Sequence, residues 1–164
     1  MHKHIWLASL FLTLAALWVA NADPESSQPD PATTGTAQLV RAQATANAPD
    51  RGGRQMVRVV VDIQPDWHIY ANAIGNNTLR GAETKLVLSA PRGLRDQRIT
   101  YPPGRRIRDP KQGDYNVYEG QAVIEAVVFR QPGDATPLEA ELRFQVCSKS
   151  QGRCVPGRIR LKLQ

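Results

Sequence analysis

The feature that most constrains this chain is a strict alternation of apolar and polar residues close to its C-terminal end. Apolar side chains occupy every even position from Leu138 to Val146, and charged or amide side chains occupy the odd positions between them. A second alternation follows on the odd positions 159, 161 and 163. Because successive side chains of a strand point to opposite faces of a sheet, the pattern predicts two strands that each bury one face.

Shorter segments earlier in the chain carry the same period, and Pro and Gly residues separate them. In addition to the two C-terminal strands, we expect strands over residues 56–64, 67–72, 84–89, 99–101 and 122–129. A helical period is absent from the sequence after residue 22. About seven strands with turns at this spacing predict an all-β domain, an immunoglobulin-like two-sheet β-sandwich.

The first 22 residues have the pattern of a secretory signal peptide. A basic start at Lys3 precedes an apolar run over residues 5–19, and residues 20–22, Ala-Asn-Ala, form a small-x-small cleavage pattern. As a helix this run would span about 22 Å, less than the roughly 30 Å hydrocarbon core of a bilayer. We therefore expect cleavage after Ala22, a periplasmic or otherwise exported protein, and no membrane span after cleavage.

The segment that follows, residues 23–53, is rich in Pro, Ser, Thr, Ala, Gln and Asp and contains few large apolar side chains. Such a composition buries too little apolar surface to offset the entropy of ordering the chain, so a disordered tether is predicted there. Residues 54–164 then form the folded part, which has the usual size of a single domain.

The chain is basic, with a net charge of +6 at pH 7, and this charge favours acidic partner surfaces. The densest basic segment covers residues 104–108 and includes Arg105, Arg106 and Arg108. Export and the lack of interleaved aromatic residues argue against a nucleic-acid site. A solvated loop is therefore predicted for this segment.

The two cysteines, Cys147 and Cys154, are expected to form a disulfide if the protein is exported. Closing so short a loop stabilises a domain by about 2.5 kcal/mol. The alternation of the flanking strands places both cysteines on the outward face, and the nearby cations Lys149, Arg153 and Arg158 favour a thiolate. The residues alone leave two interpretations open: a redox-active pair or a structural disulfide.

Other functions are compatible with parts of the sequence. An exported immunoglobulin-like protein-binding module would use the disulfide only as a staple. A metal site could draw on Cys147, Cys154 and His68, but this set lacks a fourth ligand, and we expect neither a metal nor a cofactor. A Cys/His hydrolase would need an orienting third group and an oxyanion hole, and no segment indicates either.

Three short blocks carry a resemblance to a known family. The first is residues 66–72, Asp-Trp-His-Ile-Tyr-Ala-Asn. The second joins residues 101–103, Tyr-Pro-Pro, to residues 117–120, Val-Tyr-Glu-Gly. The third joins residues 144–147, Phe-Gln-Val-Cys, to residues 154–156, Cys-Val-Pro. In this order and spacing, the blocks resemble the amino-terminal periplasmic domain of the thiol:disulfide interchange protein DsbD family.

The resemblance implies an immunoglobulin-like domain that passes reducing equivalents by thiol-disulfide exchange, an oxidoreductase-type activity. Cys154 would form mixed disulfides with partner proteins, and Cys147 would resolve them. His68 and Tyr70 would lie where the family has ring side chains beside the disulfide. A shielding loop of the family aligns with residues 109–113, which include Lys111, and the first aromatic residue after that loop is Tyr115.

The resemblance also implies partners. The electron donor would be a thioredoxin-like or membrane electron-donor protein, and the acceptors would be oxidised periplasmic thiol proteins. Because the sequence contains no thioredoxin-like Cys-x-x-Cys motif, we expect the donor to be a separate protein.

Overall fold

The structure is a computed structural model that describes residue 36 and residues 38–163. The predicted signal peptide and residues 23–35 of the predicted tether lie outside the described residues. The described residues form ten strands and one short 3-10 helix. They are β1 Val40–Ala46, β2 Arg54–Ile63, β3 Trp67–Tyr70, the 3-10 helix Asn77–Leu79, β4 Lys85–Ser89, β5 Leu94–Thr100, β6 Arg105–Ile107, β7 Tyr115–Tyr118, β8 Gln121–Arg130, β9 Glu139–Ser148 and β10 Cys154–Lys162.

The strands form two antiparallel sheets. Sheet A has the order β1-β2-β8-β5, and sheet B has the order β10-β9-β3-β7-β6, with β4 also paired to β9. A bridge between Ala44 and Leu163 joins the β1 edge of sheet A to the chain just beyond β10. The predicted all-β, immunoglobulin-like two-sheet sandwich is confirmed.

The main core is the buried apolar layer between the two sheets. Its most buried members come from the alternating positions of the long strands, and they include Val59 and Val61 in β2, Ile124 in β8 and Leu142 in β9. The even positions from 138 to 146 are all buried, as their period predicts. Full burial of side chains of this kind contributes about 1.5–3 kcal/mol each, so this layer stabilises the fold.

The predicted tether is wrong in its last part, because β1 lies inside residues 23–53. β1 pairs with β2 along its whole length, from Val40 opposite Ile63 to Ala46 opposite Val57. Val40 and Ala44 are buried in the main core. Small side chains suffice here because an edge strand gains its order from backbone hydrogen bonds to one neighbour and from one buried face.

The basic segment at residues 104–108 was predicted as a solvated loop, and this is wrong for β6. β6 pairs with β7 and forms one edge of sheet B. Arg105 and Arg106 form ion pairs with Glu119 and Asp114. Charged side chains are common on edge strands because they hinder pairing with another chain. Strands this short show no readable alternation, so the sequence pattern does not reveal them.

β10 begins at Cys154, before the predicted strand over residues 158–163. Pro156 and Gly157 interrupt the alternation, although both lie within the strand. β10 is the other edge of sheet B, where a residue without an N–H is tolerated. Gly157 lies opposite Phe144, and the Phe144 ring occupies the space that a side chain at position 157 would need.

Candidate functional site

The disulfide joins Cys147, near the end of β9, to Cys154, the first residue of β10. The two residues are directly opposite in the antiparallel ladder, with their Cα atoms 4.0 Å apart and their sulfur atoms 2.06 Å apart. The neighbouring residues Val146 and Val155 pack into or against the main core. Both cysteines therefore lie on the opposite, outer face of sheet B, and the prediction from strand alternation is confirmed.

The outer face is covered at this end of sheet B, so the disulfide is not fully open to solvent. Cys147 is only 2% exposed, whereas Cys154 is partly exposed. A second apolar cluster, here called the disulfide cluster, surrounds them. Its buried members are Tyr70, Ile74, Val117 and Cys147, and its partly buried members are Leu79, Ala82, Ile107, Tyr115 and Cys154.

Three aromatic rings lie in this cluster region. His68 is directly opposite Cys147 in the pairing of β3 with β9, so Cys154, Cys147 and His68 form one row across three strands. The His68 ring centroid is 5.9 Å from that of Tyr70 and 6.5 Å from that of Tyr115. The Tyr70 and Tyr115 centroids are 5.5 Å apart with an edge-on geometry. Such ring pairs hold one another in place.

Burial sets the protonation of these rings. It lowers the pKa of His68 below 6.5, although nearby Glu119 opposes the shift; Lys149 and Arg105 add smaller lowering effects. It raises the pKa of Tyr70, and the neighbouring Tyr115 and Asp109 act in the same direction. The imidazole is therefore neutral near pH 7, and the Tyr70 phenol keeps its proton.

A carboxylate from another part of the chain controls the charge beside the disulfide. Glu119 follows β7 and accepts two hydrogen bonds from Arg105, at 2.8 and 2.6 Å. It also lies 2.9 Å from the Lys149 ammonium, in the segment between the two cysteines. These cations lower the pKa of Glu119 to about 2. The cationic surroundings predicted from Lys149 are therefore partly neutralised.

A further predicted cation, Arg158, also has an acidic neighbour. Its guanidinium lies 3.6 Å from Glu141, which contacts Arg143 as well. Counting charges along the sequence does not reveal the carboxylates of Glu119 and Glu141 as neighbours of these cations, because each lies on a different segment from its cation and meets it only in the folded sheet. All three predicted cations, Lys149, Arg153 and Arg158, are exposed.

Lys111 does not join the rings. It lies exposed in the turn between β6 and β7, and its backbone N–H donates to the Asp109 carboxylate at 2.8 Å. The Asn76 side-chain amide donates to the Gln112 carbonyl at 2.8 Å, which fixes this turn against the loop after β3. The structure thus brings His68, Tyr70 and Tyr115 to the disulfide and leaves Lys111 at the periphery.

Sequence reasoning assigns no role to several residues of the site. Glu119 lies inside the second resemblance block, so that block is the one signal that points to it. Ile74, Leu79 and Ala82, from the loop between β3 and β4, belong to the disulfide cluster. Nothing in the periodicity of that loop indicates this, because the loop contains no long strand or helix. Among the described residues, no group of three or more His, Cys, Asp or Glu side chains could hold a metal ion.

These features define a class of protein: an immunoglobulin-like sandwich with one disulfide across an edge hairpin, on the sheet face opposite the main core. The family model described as "Thiol:disulfide interchange protein DsbD, N-terminal" matches residues 36–164. The chain belongs to this family.

A solved structure agrees with the fold. The N-terminal periplasmic domain of ScsB from Proteus mirabilis has a TM-score of 0.59 at 18% identity; the match covers 76% of this chain and 46% of that one. The chain thus spans less than half of that domain.

Two further structures, both from Neisseria meningitidis, are among the matches. The reduced DsbD N-terminal domain has a TM-score of 0.47 at 16% identity, covering 77% of this chain and 87% of that one. A complex of the DsbD and PilB N-terminal domains has a TM-score of 0.48 at 16% identity. The match covers 74% of this chain and 80% of that one. A search of the curated proteins found no match. No helix in residues 36 and 38–163 is long and apolar enough to cross a membrane.

Proposed function

We propose that this chain is an exported thiol:disulfide interchange domain that passes reducing equivalents through Cys147 and Cys154 to or from periplasmic partner proteins. The observation that carries the proposal is the position of the disulfide. It joins two strands that the backbone ladder already pairs, and it lies outside the main core. A staple would do more by linking distant strands, whereas a bond outside the core with one partly exposed cysteine can be attacked by another protein's thiolate at that cysteine.

The unequal exposure of the two cysteines supports distinct roles. Cys154 is partly exposed and begins an edge strand, so a partner thiol can reach it. Cys147 is buried beneath the rings, which suits an intramolecular attack. In the reducing direction, the Cys154 thiolate attacks a partner disulfide and releases one partner thiolate. Cys147 then attacks Cys154, the second partner thiolate leaves, and two electrons have passed to the partner.

The partners and the compartment are part of the same proposal. The electron donor would be a thioredoxin-like or membrane electron-donor protein, and the acceptors would be oxidised thiol proteins of the periplasm. Family membership supports both assignments, and so does the signal-peptide pattern of the first 22 residues. The polar and charged groups next to Cys154 would then form the docking rim for the partner.

Trapping separates the two cysteines experimentally. The Cys147→Ser variant should form a stable mixed disulfide between Cys154 and a thioredoxin-like protein activated with 5-thio-2-nitrobenzoate, detected by intact mass. The matched control, Cys154→Ser, keeps only the buried sulfur and should form little adduct in the same time. Equal adduct formation by the two variants, or none by either, would contradict the proposed roles.

A further inference from the structure

His68 has an unusual environment for a polar ring. It lies directly opposite Cys147 in the β3–β9 ladder, and side chains directly opposite on one face of an antiparallel pair have Cβ atoms about 4.5–5.5 Å apart. The imidazole and the Cys147 sulfur are therefore cross-strand neighbours on the outer face. No other residue of β3 is paired with a cysteine in this ladder.

The polar edge of this ring is buried without a partner. His68 is 8% exposed, and its Nε2 atom is fully buried and forms no hydrogen bond among the residues that the structure describes. A buried nitrogen of this kind is costly when nothing bonds to it, and it calls for an explanation. In the disulfide state, Cys147 carries no proton that it could share with the imidazole. In the dithiol state, its S–H could donate to Nε2.

The groups that face His68 leave it free to accept a proton. Tyr70 on β3 and Tyr115 on β7 contact the ring, and both phenols have a raised pKa and stay neutral. The charged neighbours are Glu119 after β7, Arg105 on β6 and Lys149 between the cysteines. Glu119 forms ion pairs with both cations, which leaves a nearly balanced set of charges. With the pKa of His68 lowered by burial, the ring is an unprotonated acceptor at neutral pH.

We propose that His68 is the base for the resolving step: its Nε2 accepts the thiol proton of Cys147 as that sulfur attacks Cys154. This inference rests on the proposed function and deepens it. Starting from a mixed disulfide between Cys154 and a partner, the Cys147 S–H bond breaks and the proton moves to His68. The Cys147–Cys154 bond forms, the Cys154–partner bond breaks, and the partner sulfur leaves as a thiolate that takes up a proton. The imidazolium then returns its proton to solvent.

The step can be isolated with 5,5′-dithiobis(2-nitrobenzoate) as the disulfide. The reduced domain should release two equivalents of the coloured thiolate. The first release, by attack of Cys154, depends on reagent concentration. The second release is the intramolecular attack of Cys147 and does not. Stopped-flow absorbance therefore reports the two cysteines separately on the same intact protein.

We expect His68→Phe to slow the second release by about 100-fold near pH 6.5, the scale of general base catalysis, and to leave the first within twofold. The deficit should shrink above about pH 9, where a thiol of ordinary pKa ionises without help. His68→Gln keeps a polar side chain but no base, and it should be equally slow. Arg58→Ala, on the outer face of sheet A and outside the disulfide cluster, is the control and should change both releases by less than twofold.

Each outcome decides one question. If both His68 variants, folded by circular dichroism, release the second thiolate at the wild-type rate across the pH range, the assignment of the base is wrong and the interchange function stands. If His68→Phe is slow but His68→Gln is not, a hydrogen-bonding side chain suffices and no proton transfer to a base is needed, which also contradicts the inference. If the wild-type domain itself releases no second equivalent, the proposed interchange function fails first.

Discussion

The main core and the disulfide cluster lie on opposite faces of sheet B, and they differ in residue composition. The main core consists almost wholly of aliphatic side chains on long strands of both sheets. The disulfide cluster combines tyrosines, the two cysteines and a few aliphatic residues, which come from the short strands β3, β6 and β7, from one end of β9 and β10, and from the loop between β3 and β4. The core members are buried, whereas one cysteine of the cluster, Cys154, remains partly exposed.

The difference indicates that the main core provides most of the stability and that the disulfide cluster provides the reactive groups. Layers of Val, Ile and Leu between two sheets exclude water and define the sandwich. A patch on the outer face can tolerate a titratable ring, an ion-pair network and a breakable bond, because most of the buried apolar surface lies in the core. We therefore expect changes in the core to act on stability and changes in the cluster to act on exchange.

The largest expected effect on stability comes from the core. Leu142→Ala removes a fully buried side chain from the centre of β9 and should lower the free energy of unfolding by about 2–5 kcal/mol. Urea denaturation measures this loss. Exchange by the folded fraction should stay within about twofold of wild type. A large change in exchange at full folding would break the separation between the two regions.

Reduction of the disulfide should have a smaller effect. Opening this short loop should lower the free energy of unfolding by about 2.5 kcal/mol in the chain-entropy description, and the domain should remain folded. Urea titrations with and without dithiothreitol give the difference. Unfolding of the reduced domain at low urea would mean that the cluster, like the core, holds the fold together.

Glu119→Gln should have a modest effect with a characteristic pH dependence. The folded-state pKa of Glu119 is about 2, below its ordinary value of 4.5. Its ion pairs therefore stabilise the fold fully above about pH 4.5, and this stabilisation disappears as the pH falls toward 2. Because water screens the partly exposed carboxylate, we expect a loss of about 1 kcal/mol at pH 7.

Urea titrations of wild type and Glu119→Gln across this pH range provide the measurement. The difference between the two proteins should narrow as the pH falls from 4.5 toward 2. A difference that stays constant over the whole range would show that the charge of Glu119 does not stabilise the fold.

The smallest effect is expected on the outer face of sheet A. Arg58 and Glu125 form an ion pair at 3.3 Å with both side chains more than half exposed. Arg58→Ala should change the unfolding free energy by less than about 0.5 kcal/mol, because exposed pairs gain little. The same variant serves as a surface control for exchange, and an altered exchange rate here would extend the functional surface beyond the disulfide cluster.

The two regions also differ in how far the sequence predicts them. The alternation from Leu138 to Val146 predicts the core face of β9, and the same alternation places Cys147 on the opposite face. β1 escapes prediction because its inward side chains are mainly alanines, which resemble the tether composition. β6 and β7 escape because strands of three and four residues are too short to show a period.

Local sequence patterns predict few of the residues that form the disulfide cluster. His68 and Tyr70 are found through the family resemblance, and no spacing rule brings Tyr115 to them. Glu119 reaches Lys149 only because β7 ends beside the turn between the cysteines. Such contacts depend on which strands are neighbours in sheet B, and the order of strands is not encoded in any single segment.

The reduction potential of the Cys147–Cys154 bond tests the central claim most directly. It is obtained by equilibrating the domain in glutathione and dithiothreitol buffers, with circular dichroism to follow folding. An interchange domain should have a potential between about −270 and −120 mV and keep its fold when reduced. A potential below about −300 mV, with loss of the fold on reduction, would instead identify a structural disulfide and contradict the account.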